Sequence, residues 1–154
     1  MTAFFPGSFD PFTAGHYNVV CRALKIFDRI IIGVGVNASK KTMFSEEERI
    51  LYAAMATKAF PQVSVVGYSE LTVDFCRSHN ITTIIRGIRS TADYDYENTI
   101  ALANHFMNND IDTVYFPAYP EHSFICSSIV RDIYQHGGDV SKFLPEEVKL
   151  KARQ

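Results

Sequence analysis

The sequence predicts a doubly wound, Rossmann-like α/β fold, with a five-stranded parallel sheet and helices on both faces. Three observations predict it. Short β-branched runs alternate with helical patterns along the whole chain. One of those runs, Arg29–Val36, is apolar on both faces, as a strand covered from above and below has to be. Most of the charged and hydroxyl residues suited to chemistry fall just past a strand end or at a helix start, where such sheets bind ligands. A chain of 154 residues fits one domain, residues 1–154.

Taken in order, Thr2–Phe5 reads as the first strand and breaks at Pro6-Gly7. From His16 to Phe27, the residues Val20, Ala23, Leu24 and Phe27 share one helical face. After the Arg29–Val36 strand comes a polar loop, Asn37–Phe44. Ser45-Glu46-Glu47-Glu48 is a capping-box start, and its helix is expected to run to Phe60. Val63–Val66 is a third strand, Thr72–Ser78 a short helix, and Thr82–Ile85 a fourth strand ending on Arg86-Gly87. Ala92–Asn108 is a long helical segment rich in polar residues. Thr113–Phe116 is a fifth strand, stopped by Pro117. Ser127 or Ser128 starts a helix that continues through Tyr134 and is broken by Gly137-Gly138. Pro145 is expected to open a last helix at its first turn.

Composition narrows the function. A formal charge of −2 gives no basic field for nucleic acid, so an anionic ligand has to be met by local Lys and Arg clusters. The three cysteines, Cys21, Cys76 and Cys126, are odd in number and lack Cys-x-x-Cys spacing. That argues against a disulfide framework or a zinc site and fits a reducing, cytoplasmic setting. No signal-peptide pattern and no membrane-length apolar run is present, so the Asn37-Ala38-Ser39 and Asn80-Ile81-Thr82 sequons read as chance matches.

The stretch Phe4–His16 organises the rest. It joins a strand, a glycine break, the hydroxyl of Ser8, a second glycine at Gly15 and then His16 at a helix start. Free helix-end N–H groups and the helix dipole make such a junction an anion site. The fold would bring Lys40 and Lys41, Arg86 and Arg89, and Ser127 and Ser128 to the same edge. Lys, Arg, His and Ser gathered there read as a polyphosphate site. Each also has a plain structural reading. A lone histidine is commonly a packed one, two adjacent lysines are commonly a solvated pair, and Cys126-Ser127-Ser128 makes an ordinary helix cap. Arg86-Gly87-Ile88-Arg89 is harder to read that way, because it aims two guanidiniums from one turn.

Two nucleotide motifs fail. Gly33-Val34-Gly35-Val36-Asn37-Ala38 matches G-x-G-x-x-A, but its glycines lie within a strand, no helix opens until Ser45, and no acidic residue stands near Lys58. The glycines there read as clearing room for a ligand or a neighbouring backbone. No G-x-x-x-x-G-K-[ST] is present, which excludes a P-loop NTPase.

Thr13-Ala14-Gly15-His16 resembles the T-x-G-H form of the H-x-G-H signature of nucleotidyltransferases. Cys126-Ser127-Ser128-Ile129-Val130-Arg131 resembles their second signature, I-S-S-T/S-x-x-R/K. Further blocks, in order, resemble the bacterial phosphopantetheine adenylyltransferase family. They are Pro6–Pro11, Ser39–Phe44, Ile85–Arg89, Asp93–Glu97 and Gly138–Val140.

The resemblance implies a single nucleotidyltransferase domain that makes dephospho-coenzyme A and pyrophosphate from ATP and 4′-phosphopantetheine. It implies magnesium bridging the ATP phosphates, a homohexamer, and feedback inhibition by coenzyme A. It also implies roles. His16 would be the transition-state histidine, with Lys40 beside it. Ser8, Lys40, Thr72 and Arg86 would hold the acceptor. Ser8, Phe9, His16, Gly87, Ile88, Arg89 and Glu97 would form the ATP site, with the run His122, Ser123, Phe124, Ile125, Cys126, Ser127 and Ser128. Ala14 stands where the family often has Asn or Gln, Cys126 where it often has Ser, and Thr72 where it has an apolar residue.

The chemistry expected of such a site needs no protein nucleophile, because the acceptor phosphate is already an anion. The protein has to hold two anions in line and neutralise charge growing on the α-phosphoryl oxygens. Orientation alone can supply roughly 7–11 kcal/mol of such a barrier. His16, Lys40 and the Ser127–Ser128 helix start are expected to stabilise that charge, Arg86 to position the acceptor, and Arg89 to hold the ATP phosphates. The alternatives are a sibling transferase acting on nicotinate mononucleotide or on a glycerol or choline phosphate, and a catalytically silent nucleotide-binding protein on the same fold.

Overall fold

The computed structural model describes residues 1–36 and 41–151. Its elements alternate as the sequence predicts: β1 (Thr2–Gly7), α1 (Ala14–Ala23), β2 (Arg29–Gly35), α2 (Glu46–Thr57), β3 (Val63–Tyr68), α3 (Thr72–Ser78), β4 (Thr83–Ile88), α4 (Thr91–Met107), β5 (Asp112–Pro117) and α5 (Ser127–Gln135). The five strands form one parallel sheet in the order β3-β2-β1-β4-β5. The chain moves outward from β1 through β2 to β3, then crosses back to the other side of β1 for β4 and β5. The order therefore reverses between β1 and β4, and the crevice beyond their carboxyl ends is where such sheets bind ligands.

Strand alternation divides the core. On one face Phe5, Ile30, Ile32, Val34 and Ile85 pack against Val20 and Ala23 of α1, Tyr52 and Ala53 of α2, and Val130 of α5. On the other, Phe4 and Ile84 pack with Val73, Phe75 and Cys76 of α3. Phe4 stacks on Phe75 at 4.4 Å between ring centroids. Both faces of the sheet are thus covered by apolar side chains, which is why β1 and β2 read as unbroken apolar runs.

The differences from expectation have local causes. α1 begins two residues early because Thr13, not a later residue, is the N-cap. It ends at Ala23, beyond which the Lys25 and Ile26 amides donate to Arg22 and Ala23, three residues back. β3 continues through Gly67 to Tyr68, which pair with Val34 and Gly35 of β2, and the Glu46 carboxylate fills the space a side chain at position 67 would take. β4 continues through Arg86-Gly87 to Ile88, so Arg86 is a strand residue paired with Tyr115 and not the start of a loop. The helix expected at Pro145 is absent. Pro145 accepts a turn bond from the Val148 amide, and the segment runs on to Lys151, tied down by the Tyr52 and Tyr134 hydroxyls. Gly33 makes room for the Phe4 ring of the neighbouring strand, so a side chain, and neither a ligand nor a backbone, occupies the space.

Candidate active site

The crevice beyond β1 and β4 holds two cavities, of about 390 Å³ and about 790 Å³. They share one wall, made by Pro6, Gly7, Ser8, Arg86 and Glu97. The smaller is lined by Phe9, His16, Gly87, Ile88, Arg89, His122, Ile125, Cys126, Ser127 and Ser128, with Lys41 and Arg131. The larger is lined by Tyr68, Thr72, Ile100, Asn104 and Thr113 among others. Most of the resemblance's ATP residues line the smaller cavity, Thr72 of its acceptor set lines the larger, and Ser8, Arg86 and Glu97 line both.

The turn after β1 is built tightly. Phe9 sits at φ 47 and folds its ring back over Gly7, where a Cβ would lie 2.8 Å from it. Glycine at position 7 is thus a steric requirement. The turn then feeds the N-terminus of α1 through a modified capping box. The His16 amide donates to the Thr13 hydroxyl at 3.4 Å, and the Thr13 amide donates to His16 Nδ1 at 3.0 Å. An imidazole does here what Glu or Gln does in the usual box. Because Nδ1 accepts a backbone hydrogen bond, the neutral ring carries its proton on Nε2. Phe5, Phe9 and Phe12 surround the ring. Burial first, then the charges of Arg89 and Arg86, lower its pKa from 6.5 to about 3. His16 is an uncharged N–H donor throughout the physiological range.

Each arginine of the 86–89 pair is held by an acid on α4. Glu97 takes Arg86 through Nε, at 2.7 Å, and Nη2, while the Pro6 carbonyl takes Nη1. That leaves one N–H on each terminal nitrogen for an anion. Asp93 takes Arg89 through Nε at 2.8 Å and Nη2 at 3.2 Å. Asp93 and Glu97 stand four apart on one helix face. The sequence reading gave Glu97 to ATP; in the structure its carboxylate is bound to Arg86.

Ser127 donates its hydroxyl to the Pro11 carbonyl at 2.9 Å, which locks the start of α5 to the turn after β1. Cys126 is the N-cap of α5 and lies 3.1 Å from the Ser128 hydroxyl. Burial pulls its thiol up, but Ser128, the Ile129 amide and Arg89 outweigh burial and lower the pKa. Asp10, 5 % exposed, accepts from the Met43 and Phe44 amides at 2.9 Å each. Arg131 of α5 donates to the Asp10 carbonyl at 2.7 Å and lies 3.7 Å from its carboxylate. One side chain thus joins the β1 turn to the segment after Lys41, and one carbonyl joins it to α5.

Among the sequence-derived residues, Ser8, Phe9, His16, Thr72, Arg86, Gly87, Ile88, Arg89, Glu97, His122, Ile125, Cys126, Ser127 and Ser128 line one cavity or both. Ser123 and Phe124 do not. Ser123 donates to the Pro120 carbonyl and Phe124 turns outward against Phe143. Lys40 lies outside the described residues, as does Ala38 of the failed glycine motif. Thr72 bonds the Tyr68 hydroxyl at 3.3 Å. Asp10, Asp93, Asn104 and Arg131 also line the cavities and were not among the residues the sequence assigned to the site. For Asp93 and Glu97 the signal was present in their spacing of four, opposite Arg86 and Arg89 spaced by three.

Comparison with known proteins identifies the family. Residues 4–133 match the cytidylyltransferase-like family model. The chain is 44% identical over 151 residues to the phosphopantetheine adenylyltransferase of Campylobacter fetus, covering 96% of this chain and 95% of that one. It is 45% identical over 149 residues to that of Flavobacterium psychrophilum, covering 97% and 98%. Among solved structures, a bifunctional NMN adenylyltransferase/ADP ribose pyrophosphatase from Francisella tularensis superposes with a TM-score of 0.74. It is 15% identical over 96% of this chain, which spans 45% of that longer one. That likeness is one of fold.

Proposed function

The chain belongs to the phosphopantetheine adenylyltransferases, and from that premise we propose how its two cavities divide the reaction. The enzyme transfers the adenylyl group of ATP to 4′-phosphopantetheine, giving dephospho-coenzyme A and pyrophosphate, the penultimate step of coenzyme A biosynthesis. ATP occupies the cavity beside His16, Arg89 and the α5 N-terminus. The pantetheine arm occupies the larger cavity toward Thr72 and Asn104. The phosphate of the acceptor lies at the shared wall, on Ser8 and on the unused N–H pair of Arg86. The observation that carries this reading is the partition itself. Ser8, Arg86 and Glu97 face both cavities, so two anions held on either side meet across it.

The chemistry follows from the groups in place. An acceptor phosphate oxygen attacks the α-phosphorus of ATP, and pyrophosphate leaves on the opposite side. The Nε2–H of His16 donates to an α-phosphoryl oxygen as charge builds there. Being uncharged, it adds a directed hydrogen bond without binding the ground-state phosphate as a cation would. The open amides at the start of α5 and the Arg89 guanidinium hold the phosphates that leave. Lys40 is proposed to neutralise charge on the same oxygens. Magnesium bound with the nucleotide would supply neutralisation of phosphate charge. Asp93 and Glu97 are both engaged by guanidiniums, a donor set that suits a metal carried by phosphate oxygens.

Further proposals concern assembly and control. α4 and the edge strand β5 expose Leu102, Phe106, Met107 and Val114, with Phe106 at 89 %. Second copies of the chain covering this face would build the homohexamer. Coenzyme A carries both a pantetheine arm and an adenine nucleotide, so it would fill both cavities and inhibit. The free thiols of Cys21, Cys76 and Cys126 suit a cytoplasmic enzyme. No described helix is long and apolar enough to cross a membrane.

The test is incubation with ATP, magnesium and 4′-phosphopantetheine, followed by detection of dephospho-coenzyme A and pyrophosphate. A panel including nicotinate mononucleotide and glycerol 3-phosphate runs beside it. Faster pyrophosphate release with another acceptor would reject the substrate assignment.

A further inference from the structure

Arg49 on α2 is the most deeply buried cation among the described residues, at 3 % exposed. Its Nη1 donates to the Ser8 carbonyl at 2.7 Å and to the Gly35 carbonyl at 3.0 Å. Its Nε is buried without an acceptor. No carboxylate among the described residues lies within 4.0 Å of it. The acids nearby in the fold are otherwise engaged. Asp10 is on the Met43 and Phe44 amides, and Glu48 of the same helix is on Lys151 and the Ser45 amide. A guanidinium taken out of water without a counter-charge is costly. Here the charge lies behind a turn whose opposite side faces both cavities.

Arg49 lines neither cavity, but Ser8 and Gly35 do. A peptide carbonyl turned toward a bound phosphate would repel it. Held by Arg49, these two carbonyls point away from the ligand. We infer that Arg49 is a positioning residue for the phosphate turn: it draws the Ser8 and Gly35 carbonyls back and supplies, from behind Ser8, a positive charge whose counter-ion is the bound phosphate. The inference rests on reading the cleft as a phosphate site.

The experiment uses the full chain and inorganic pyrophosphate as probe, with calorimetry for wild type, Arg49→Lys and Arg49→Gln. The lysine keeps the charge and one donor; the glutamine keeps a donor and loses the charge. Arg49→Lys is expected within about threefold of wild type and Arg49→Gln about tenfold weaker. The KM for 4′-phosphopantetheine should follow the same order while kcat at saturation stays within about threefold. Unchanged pyrophosphate binding in Arg49→Gln overturns the inference, since a purely structural arginine would lower thermal stability and leave anion affinity alone. Should Arg49→Gln not fold, Arg49→Lys decides through its pH profile: pyrophosphate affinity that falls about tenfold more than in wild type as the buried lysine loses its proton upholds the role of the charge, and a profile parallel to wild type overturns it. Pyrophosphate binding is read without turnover. A wild type that binds it but makes no dephospho-coenzyme A would refute the proposed reaction and leave the role of Arg49 standing.

Discussion

His16 closes a helix cap and is proposed to act on the transferred phosphoryl group, and the two roles can be separated. Its Nδ1 closes the α1 capping box and its Nε2–H faces the cleft. His16→Ala removes both, and is expected to lower kcat by about 10²–10³ and stability by about 1 kcal/mol. Nucleotide affinity should stay nearly intact. His16→Gln returns an acceptor to the Thr13 amide, so thermal stability should recover while kcat does not. Recovery of both would remove the imidazole from the chemistry. The same residue sets a pH dependence. The unfolded chain binds a proton here below pH 6.5 that the folded chain refuses until about 3. This position therefore makes stability fall as pH drops through that window, and its contribution is complete and flat above pH 6.5. Thermal unfolding at pH 4 to 7 should show a shallower slope for His16→Gln than for wild type. The places of Ser8, His16 and Arg86 in the cleft were legible because their residue types and strand-end positions announce phosphate chemistry. Arg49 was not, since a lone Arg in the amphipathic run after Ser45 looks like any solvated helix residue.

At the scale of elements, α4 is the brace for β4. Glu97 orients Arg86 and Asp93 orients Arg89 across one helix turn. Glu97→Ala leaves Arg86 its charge but frees its fork. The KM for 4′-phosphopantetheine should rise by about tenfold with a smaller change in kcat, and Arg86→Ala should raise it further. A rise in the KM for ATP alone would show that Glu97 serves the nucleotide. Element types were readable from periodicity; their ends were not. β4 reads as ending at Ile85 because Arg86-Gly87 looks like a turn, yet Gly87 pairs with Phe116 in the sheet. The expected final helix fails for a different reason. After Pro145 the chain is needed as a strap over Tyr52 and Tyr134, a tertiary demand that no local pattern records.

For the molecule as a whole, the reversal of strand order between β1 and β4 places every cleft residue at one edge, and alternation alone was enough to expect it. The apolar face of α4 and β5 was not expected, because α4 reads as a polar helix. Phe106→Glu should leave the fold intact and shift the assembly toward smaller species in sedimentation velocity; an unchanged distribution would place the subunit contact elsewhere. The wall shared by the two cavities has a consequence for ligand design. A compound that links a nucleotide end to a pantetheine end incurs the entropy of association once and presents its second half at high effective concentration. Bridging inhibitors should therefore bind tighter than either half alone by about 10²–10⁴. On the proposed division of the cavities the enzyme's own product would be such a bridge, so its departure, and not phosphoryl chemistry, is expected to limit turnover.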